Sequence, residues 1–180
     1  EFETLIRRLG LPVLTAWTHD LIASDDPLFC GRPGTIGTRA GNFTAQNADL
    51  LLILGSRLNI RQVSYNWQAF APRAYKIQVD IDAAELSKPT VRPDMAVIAD
   101  LKPFLAALAC ELDGWTASLE QRNWLAWCKE RLARYPGVQP RQRAFHGRIN
   151  PYHFIEELFA RLDGTDIVAC GNATATIVPF

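Results

Sequence analysis

Asp49-Leu50-Leu51-Leu52-Ile53-Leu54-Gly55-Ser56-Arg57 is the stretch whose reading decides the fold. Its apolar run is continuous rather than alternating, is short for a helix, and is closed by glycine. Such runs are strands covered on both faces, as in a parallel sheet flanked by helices. Working outward, Tyr75 to Ile81 is rich in branched residues and ends in acid, Leu11 to Ala16 is a shorter apolar run, and Ala96 to Ala99 is a fourth strand candidate. Asp100 follows as a cap for a helix from Leu101 to Leu112, with Pro103 in the first turn, where a missing N–H costs little. Phe2, Leu5, Ile6 and Leu9 have helical spacing and stop at Gly10. Strands and helices therefore alternate, which predicts an α/β fold: a Rossmann-like parallel sheet flanked by helices.

Beyond Gly114 a second helix is expected from about Ser118 to Arg134, with Trp124, Trp127, Cys128, Leu132 and Tyr135 near one face. Tyr135 to Arg148 is rich in proline, glycine and arginine and reads as a linker. The pattern then restarts with Asn150 as N-cap, Pro151 at the first helical position, a helix to Leu162, a turn at Asp163-Gly164 and a strand from Asp166 to Ala169. The expected organisation is a central domain over 1–113, a connector helix and linker over 114–148, and a truncated second α/β domain over 149–180.

Composition excludes several classes. The 180 residues are 48% hydrophobic and 21% charged with a formal net charge of zero, so no basic footprint marks a nucleic-acid partner. No apolar run reaches the roughly 20 residues that cross a bilayer, and the cytoplasm is the expected location. The four cysteines and three histidines are scattered without metal-ligand spacing.

Ligands of open parallel sheets bind beyond the carboxyl ends of the strands. Those ends carry Thr15, Ala16 and Trp17; Gly55, Ser56 and Arg57 with Arg61 close by; Asp80, Ile81 and Asp82; and Asp100. Glycine admits a ligand to the backbone, arginine pairs with phosphate, and an acid accepts ribose hydroxyls, so together they suit a nucleotide. The loop Gly31 to Thr38 precedes a helix expected near Asn42 and offers N–H groups to an anion, or else is a plain surface turn. Asp82 reads as an N-cap with Glu85 as its capping-box partner, which leaves Asp80 as the ribose candidate. The adjacent His19 and Asp20 lack a nucleophile, Ser24-Asp25-Asp26 lacks the spaced oxygens of a cation site, and Trp124 and Trp127 are expected to pack rather than stack bases.

Taken in order, Pro12-Val13, Asp26-Pro27-Leu28, Gly31 to Gly37, Asn42-Phe43, Ala48-Asp49-Leu50-Leu51, Gly55-Ser56-Arg57-Leu58, Val79 to Leu86 and Ala99-Asp100 resemble the central domain of acetolactate synthases and related thiamine-diphosphate enzymes over residues 1–112. Asn150-Pro151, Asp166-Ile167-Val168 and Gly171-Asn172-Ala173 resemble the opening of that family's C-terminal, diphosphate-binding domain. The resemblance implies a six-stranded Rossmann-like middle domain that carries FAD without a redox part in the main reaction. It carries flavin contacts over to Thr15, Ala16, Gly37, Thr38, Gly55, Arg57, Arg61, Asp80, Ile81 and Asp100. Two positions depart from the family pattern: Ile36 stands for a histidine, and Asn59 for an acid.

The resemblance further implies thiamine diphosphate and Mg2+ in the full-length enzyme, a 2-keto acid substrate such as pyruvate, a homodimer or homotetramer, and a place in branched-chain amino-acid or cell-surface sugar metabolism. The family's cofactor-activating glutamate and its GDG…N metal motif match no stretch here, so no catalytic residue or metal ligand is assigned, and this stretch alone is expected to catalyse nothing. A flavin-free 2-keto-acid decarboxylase and a free-standing nucleotide-binding module are the alternative readings.

Overall fold

The computed structural model describes residues 2–18, 21–144 and 147–178; the His19-Asp20 pair lies outside them. The chain divides into two compact units, Glu1–Arg134 and Tyr135–Phe180.

The first unit contains α1 (Phe2–Leu9), α2 (Arg39–Asn47), β1 (Leu50–Leu54), α3 (Ile60–Val63), β2 (Tyr75–Asp80), α4 (Ala83–Ser87), β3 (Met95–Ile98), α5 (Leu101–Glu111) and α6 (Leu119–Arg134). The strands form a parallel sheet in the order β1-β2-β3. Leu54 pairs with Val79, Val79 with Val97, and Asp80 with Ile98, so the carboxyl ends of the strands finish together. Beneath the sheet, Ile53, Leu58, Val63, Phe70 and Val91 bury one another, with Ala45 of α2 closing the cluster. A second cluster joins Ile6 of α1 to Ile22, Leu28 and Phe29, with Leu125 of α6 packed against it.

The strand expected at Leu11 to Ala16 is not part of the sheet. Leu11 to Ala16 makes a single parallel bridge, Val13 to Phe29, through Val13 N–H to Leu28 O (2.8 Å) and Cys30 N–H to Val13 O (2.9 Å). Successive N–H groups of a strand face opposite edges, and Pro12, beside Val13, has none to offer the other edge. The run joins no ladder of the main sheet, which has three strands among the described residues rather than the implied six. The Gly31 loop also leads into its helix earlier than expected: α2 begins at Arg39, because Thr38 accepts from Gly41 N–H and caps it.

The second unit contains α7 (Pro140–Arg143), α8 (Pro151–Phe159) and α9 (Thr174–Ile177). A short helix thus stands inside the expected linker, started by Gln142, whose side chain accepts from Gln139 N–H at 2.6 Å. Arg143 binds Glu156 through two hydrogen bonds and ties α7 to α8. Asn150 caps α8 as expected, but the helix stops at Phe159, where bonds from Arg161 to Leu158 and from Leu162 to Phe159 tighten the last turn. Asp166 to Ala169 is not a strand: no described segment pairs with it, and Ile167 is 95% exposed.

These burials set an expectation for stability. Phe70→Ala should cost about 3–5 kcal/mol, because it removes a ring from the packed side of the sheet, whereas Ile167→Ala should change stability by less than about 0.5 kcal/mol. Urea denaturation of the two variants measures the contrast.

Candidate functional site

Parallel register is what gathers the candidate residues. Gly55 N–H donates to Val79 O at 2.9 Å and Ala99 N–H to Asp80 O at 3.1 Å, so the chain leaves β1, β2 and β3 side by side along one edge. Gly55 turns there at φ +57°, and a Cβ on it would stand 2.7 Å from Leu101 Cδ1. Leu58, three residues on, also holds a left-handed φ of 45°, and its buried side chain in the core secures that conformation.

Each predicted residue has a definite place. Asp80 is buried, and its carboxylate accepts from Asp82 N–H at 2.9 Å. Ile81 projects beside it, 70% exposed. Asp82 caps α4 through Ala84 N–H, and Asp100 caps α5 through Lys102 N–H. Thr15 is buried at the end of its run, and its hydroxyl has no hydrogen-bond partner among the described residues. Ala16 adjoins it. Arg61 lies over the ring of Trp17, 5.7 Å from its centroid, while its carbonyl accepts from Thr35 N–H.

Gly37 and Thr38 belong to a loop that its own chain holds closed. A Cβ on Gly37 would approach Arg32 O to 2.2 Å, so internal packing is what demands glycine there. Thr38 Oγ1 accepts from Arg32 N–H as well as Gly41 N–H, and the Asn42 amide clamps Gly34 with one bond given and one received.

Glu85 is corrected. Instead of closing a capping box, its largely buried carboxylate receives Arg57 Nε at 2.7 Å and Lys88 Nζ at 2.9 Å. Arg57, then Lys88, holds the Glu85 carboxyl below the usual carboxylate range. Arg57 therefore stands at the strand edge already paired with an acid. Sequence reasoning also missed the amides behind the edge. Ser56 Oγ donates to Gln62 Oε1 at 3.1 Å, Gln78 Nε2 donates to Ser56 O at 3.0 Å, and both glutamines are buried. A glutamine centred in an apolar strand was the available signal. Trp124 and Trp127 stack on each other at 5.0 Å with Arg131 over Trp127, and the Asp26 carboxylate accepts from the Arg7 guanidinium. A groove of about 260 Å³ between α1 and α5, lined by Leu5, Arg8 and Leu105 among others, contains none of the predicted site residues.

Fold and edge together define an open parallel α/β domain of the kind that receives ligands at the carboxyl ends of its strands. Residues 1–108 match the family model described as thiamine pyrophosphate enzyme, central domain, and the chain belongs to that family. It is 34% identical to a probable acetolactate synthase 2, chloroplastic, of Oryza sativa subsp. japonica over 174 residues, covering 95% of this chain and 26% of that protein. It is 34% identical to the acetolactate synthase large subunit of Cyanidium caldarium over 128 residues (71% and 22%), and 31% identical to an acetolactate synthase of Mycobacterium avium over 161 residues (88% and 25%). The chain spans about a quarter of the length of these curated relatives.

The Arg57–Glu85–Lys88 group has a pH signature. Because the folded-state pKa of Glu85 is depressed, its stabilising contribution is present above the unfolded carboxylate pKa of about 4.3 and is lost as pH falls through the folded value. The melting temperature of the wild type should exceed that of Glu85→Gln at pH 7, and the gap should shrink steadily below about pH 4.5. Thermal unfolding of both proteins across pH 3 to 7 reads it.

Proposed function

We propose that this chain is part of a thiamine-diphosphate-dependent carboligase of the acetolactate-synthase type, which decarboxylates a 2-keto acid such as pyruvate and transfers the two-carbon unit to a second carbonyl. Alignment with acetolactate synthases over 95% of its length is the observation that carries this reading. Residues 1–113 are assigned as the central nucleotide-binding-like domain, 114–148 as connector and linker, and 149–180 as the start of the thiamine-diphosphate-binding domain. Thiamine diphosphate with Mg2+ would supply the carbanion chemistry; the residues here would hold a nucleotide. A cytoplasmic location is proposed from the sequence, and a homodimer or homotetramer with branched-chain amino-acid synthesis is the assembly and pathway proposed by family.

FAD is the proposed occupant of the strand edge, as a structural rather than redox group. The unpartnered buried hydroxyl of Thr15, the exposed, side-chain-free turn at Gly55 and the anchored carboxylate of Asp80 fit its hydroxyl and phosphate groups. Thr15 and Arg61 would meet the phosphates where Gly55 leaves room for them, Asp80 a ribose, and Ile81 an apolar ring face. Arg57 would exchange Glu85 for phosphate. A flavin-free decarboxylase is the second reading, favoured by that standing Arg57–Glu85 pair and by Asn59, which is spent on capping α3 through Arg61 N–H.

Titration of FAD, ADP and NAD into the chain and its variants separates the two. Arg57→Ala should weaken FAD by roughly tenfold or more, since a charge-assisted phosphate contact contributes about 1.5–3 kcal/mol. Asp80→Ala should weaken it too, and Glu85→Gln, which loosens Arg57, should not. Equal binding by all variants would move the ligand elsewhere, and no binding by any nucleotide would favour the flavin-free reading.

A further inference from the structure

Gln78 stands inside β2, is 0% exposed, and its Oε1 accepts no hydrogen bond among the described residues. A buried amide with one orphaned atom carries a standing cost that an apolar side chain of similar length would remove. Its other atom serves the strand edge, where Nε2 donates to Ser56 O at 3.0 Å. The amide cannot sit the other way round, because a carbonyl oxygen accepts and needs an N–H opposite it. Gln62, 8% exposed on α3, holds the same residue by its side chain, accepting from Ser56 Oγ at 3.1 Å. The next carbonyl, Arg57 O, is held in turn by Lys88 Nζ.

A trans peptide points its carbonyl and the following N–H in opposite directions, and none of the described peptide bonds is cis. With Ser56 O drawn to Gln78, Arg57 N–H is directed away from the buried amide, and no hydrogen bond within the chain takes it among the described residues. Arg57 is exposed, two residues beyond the open turn at Gly55. We propose, resting on the nucleotide reading of the strand edge, that Gln78 and Gln62 are positioning residues that aim the Arg57 N–H at a phosphate oxygen. They thereby set a preference for phosphorylated ligands. Neither glutamine touches the ligand; both act through Ser56. This role accounts for a polar side chain kept at full burial in an otherwise apolar part of the sheet, at the cost of one unpartnered oxygen.

ADP, FAD and adenosine are titrated into the wild-type chain, Gln78→Met and Gln62→Met, methionine being unbranched like glutamine but without its amide. Gln78→Met should weaken ADP and FAD by roughly fivefold or more, Gln62→Met by less, and neither should change the affinity for adenosine. The melting temperature of Gln78→Met should fall far less than that of Phe70→Ala, which separates aiming from loss of the sheet. The wild type gives a measurement independent of both variants: in amide NMR of the isotope-labelled chain, the Arg57 amide proton should move downfield with ADP and stay in place with adenosine. Unchanged ADP affinity in both variants, equal losses for ADP and adenosine, or an Arg57 amide indifferent to ADP would overturn the positioning role and leave the nucleotide reading standing. A wild type that binds none of the three ligands would overturn both.

Discussion

The hydrogen bond from Gly55 N–H to Val79 O is small, but the arrangement of the candidate site depends on it. It is the last bond of the β1–β2 ladder, and in a parallel ladder it forces both strands to end at the same level. A slip of one residue would turn Val79 away from the core and carry Asp80 off the edge that Gly55 occupies. Register is secured from both faces, since Ile53 and Val79 are buried on opposite sides of the sheet while the left-handed turns at Gly55 and Leu58 redirect the chain toward α3. Core packing therefore positions the polar residues, and those residues contribute little to holding the core.

Much of the polar equipment at the edge is engaged within the protein. Asp82 and Asp100 cap helices, Asn59 caps α3, Thr38 caps α2, and Arg57 is held by Glu85. Capping carboxylates and hydroxyls satisfy N–H groups that would otherwise be unpaired at helix starts. What remains for a ligand is the open turn at Gly55, the hydroxyl of Thr15, the Asp80 carboxylate, the Arg61 guanidinium over Trp17, and in Arg57 an arginine that trades one anion for another. Such an exchange costs affinity, because breaking the Arg57–Glu85 pair offsets part of what a phosphate contact contributes.

The fold was legible in the sequence where local pattern decides it. Leu50–Leu54 and Tyr75–Asp80 fall within a residue of their apolar runs, and Asp100, Asn150 and Pro151 announce the helices that follow them. Pairing was less legible, because a strand exists only with a neighbour: Leu11 to Ala16 finds one bridge and Asp166 to Ala169 finds none. Site residues could be placed at strand ends from sequence, but not their partners. Glu85 meets Arg57 across 28 positions, and Lys129 meets the carbonyls of Asp26 and Phe29 across most of the first unit; periodicity carries no trace of such contacts. The loop glycines misled in a different way, since Gly34 and Gly37 answer to the carbonyls of Arg61 and Arg32.

On the proposed function, the aligned carboxyl ends of the sheet receive an adenine nucleotide. Hydrogen-exchange mass spectrometry of the chain with and without FAD tests this, because amide protection reports where a ligand sits. Slowed exchange is expected in Thr15–Trp17, Gly55–Arg61 and Ile81–Asp82, with α8 unchanged. Protection confined to the groove between α1 and α5, or saturable binding that leaves the strand ends unprotected, would contradict it.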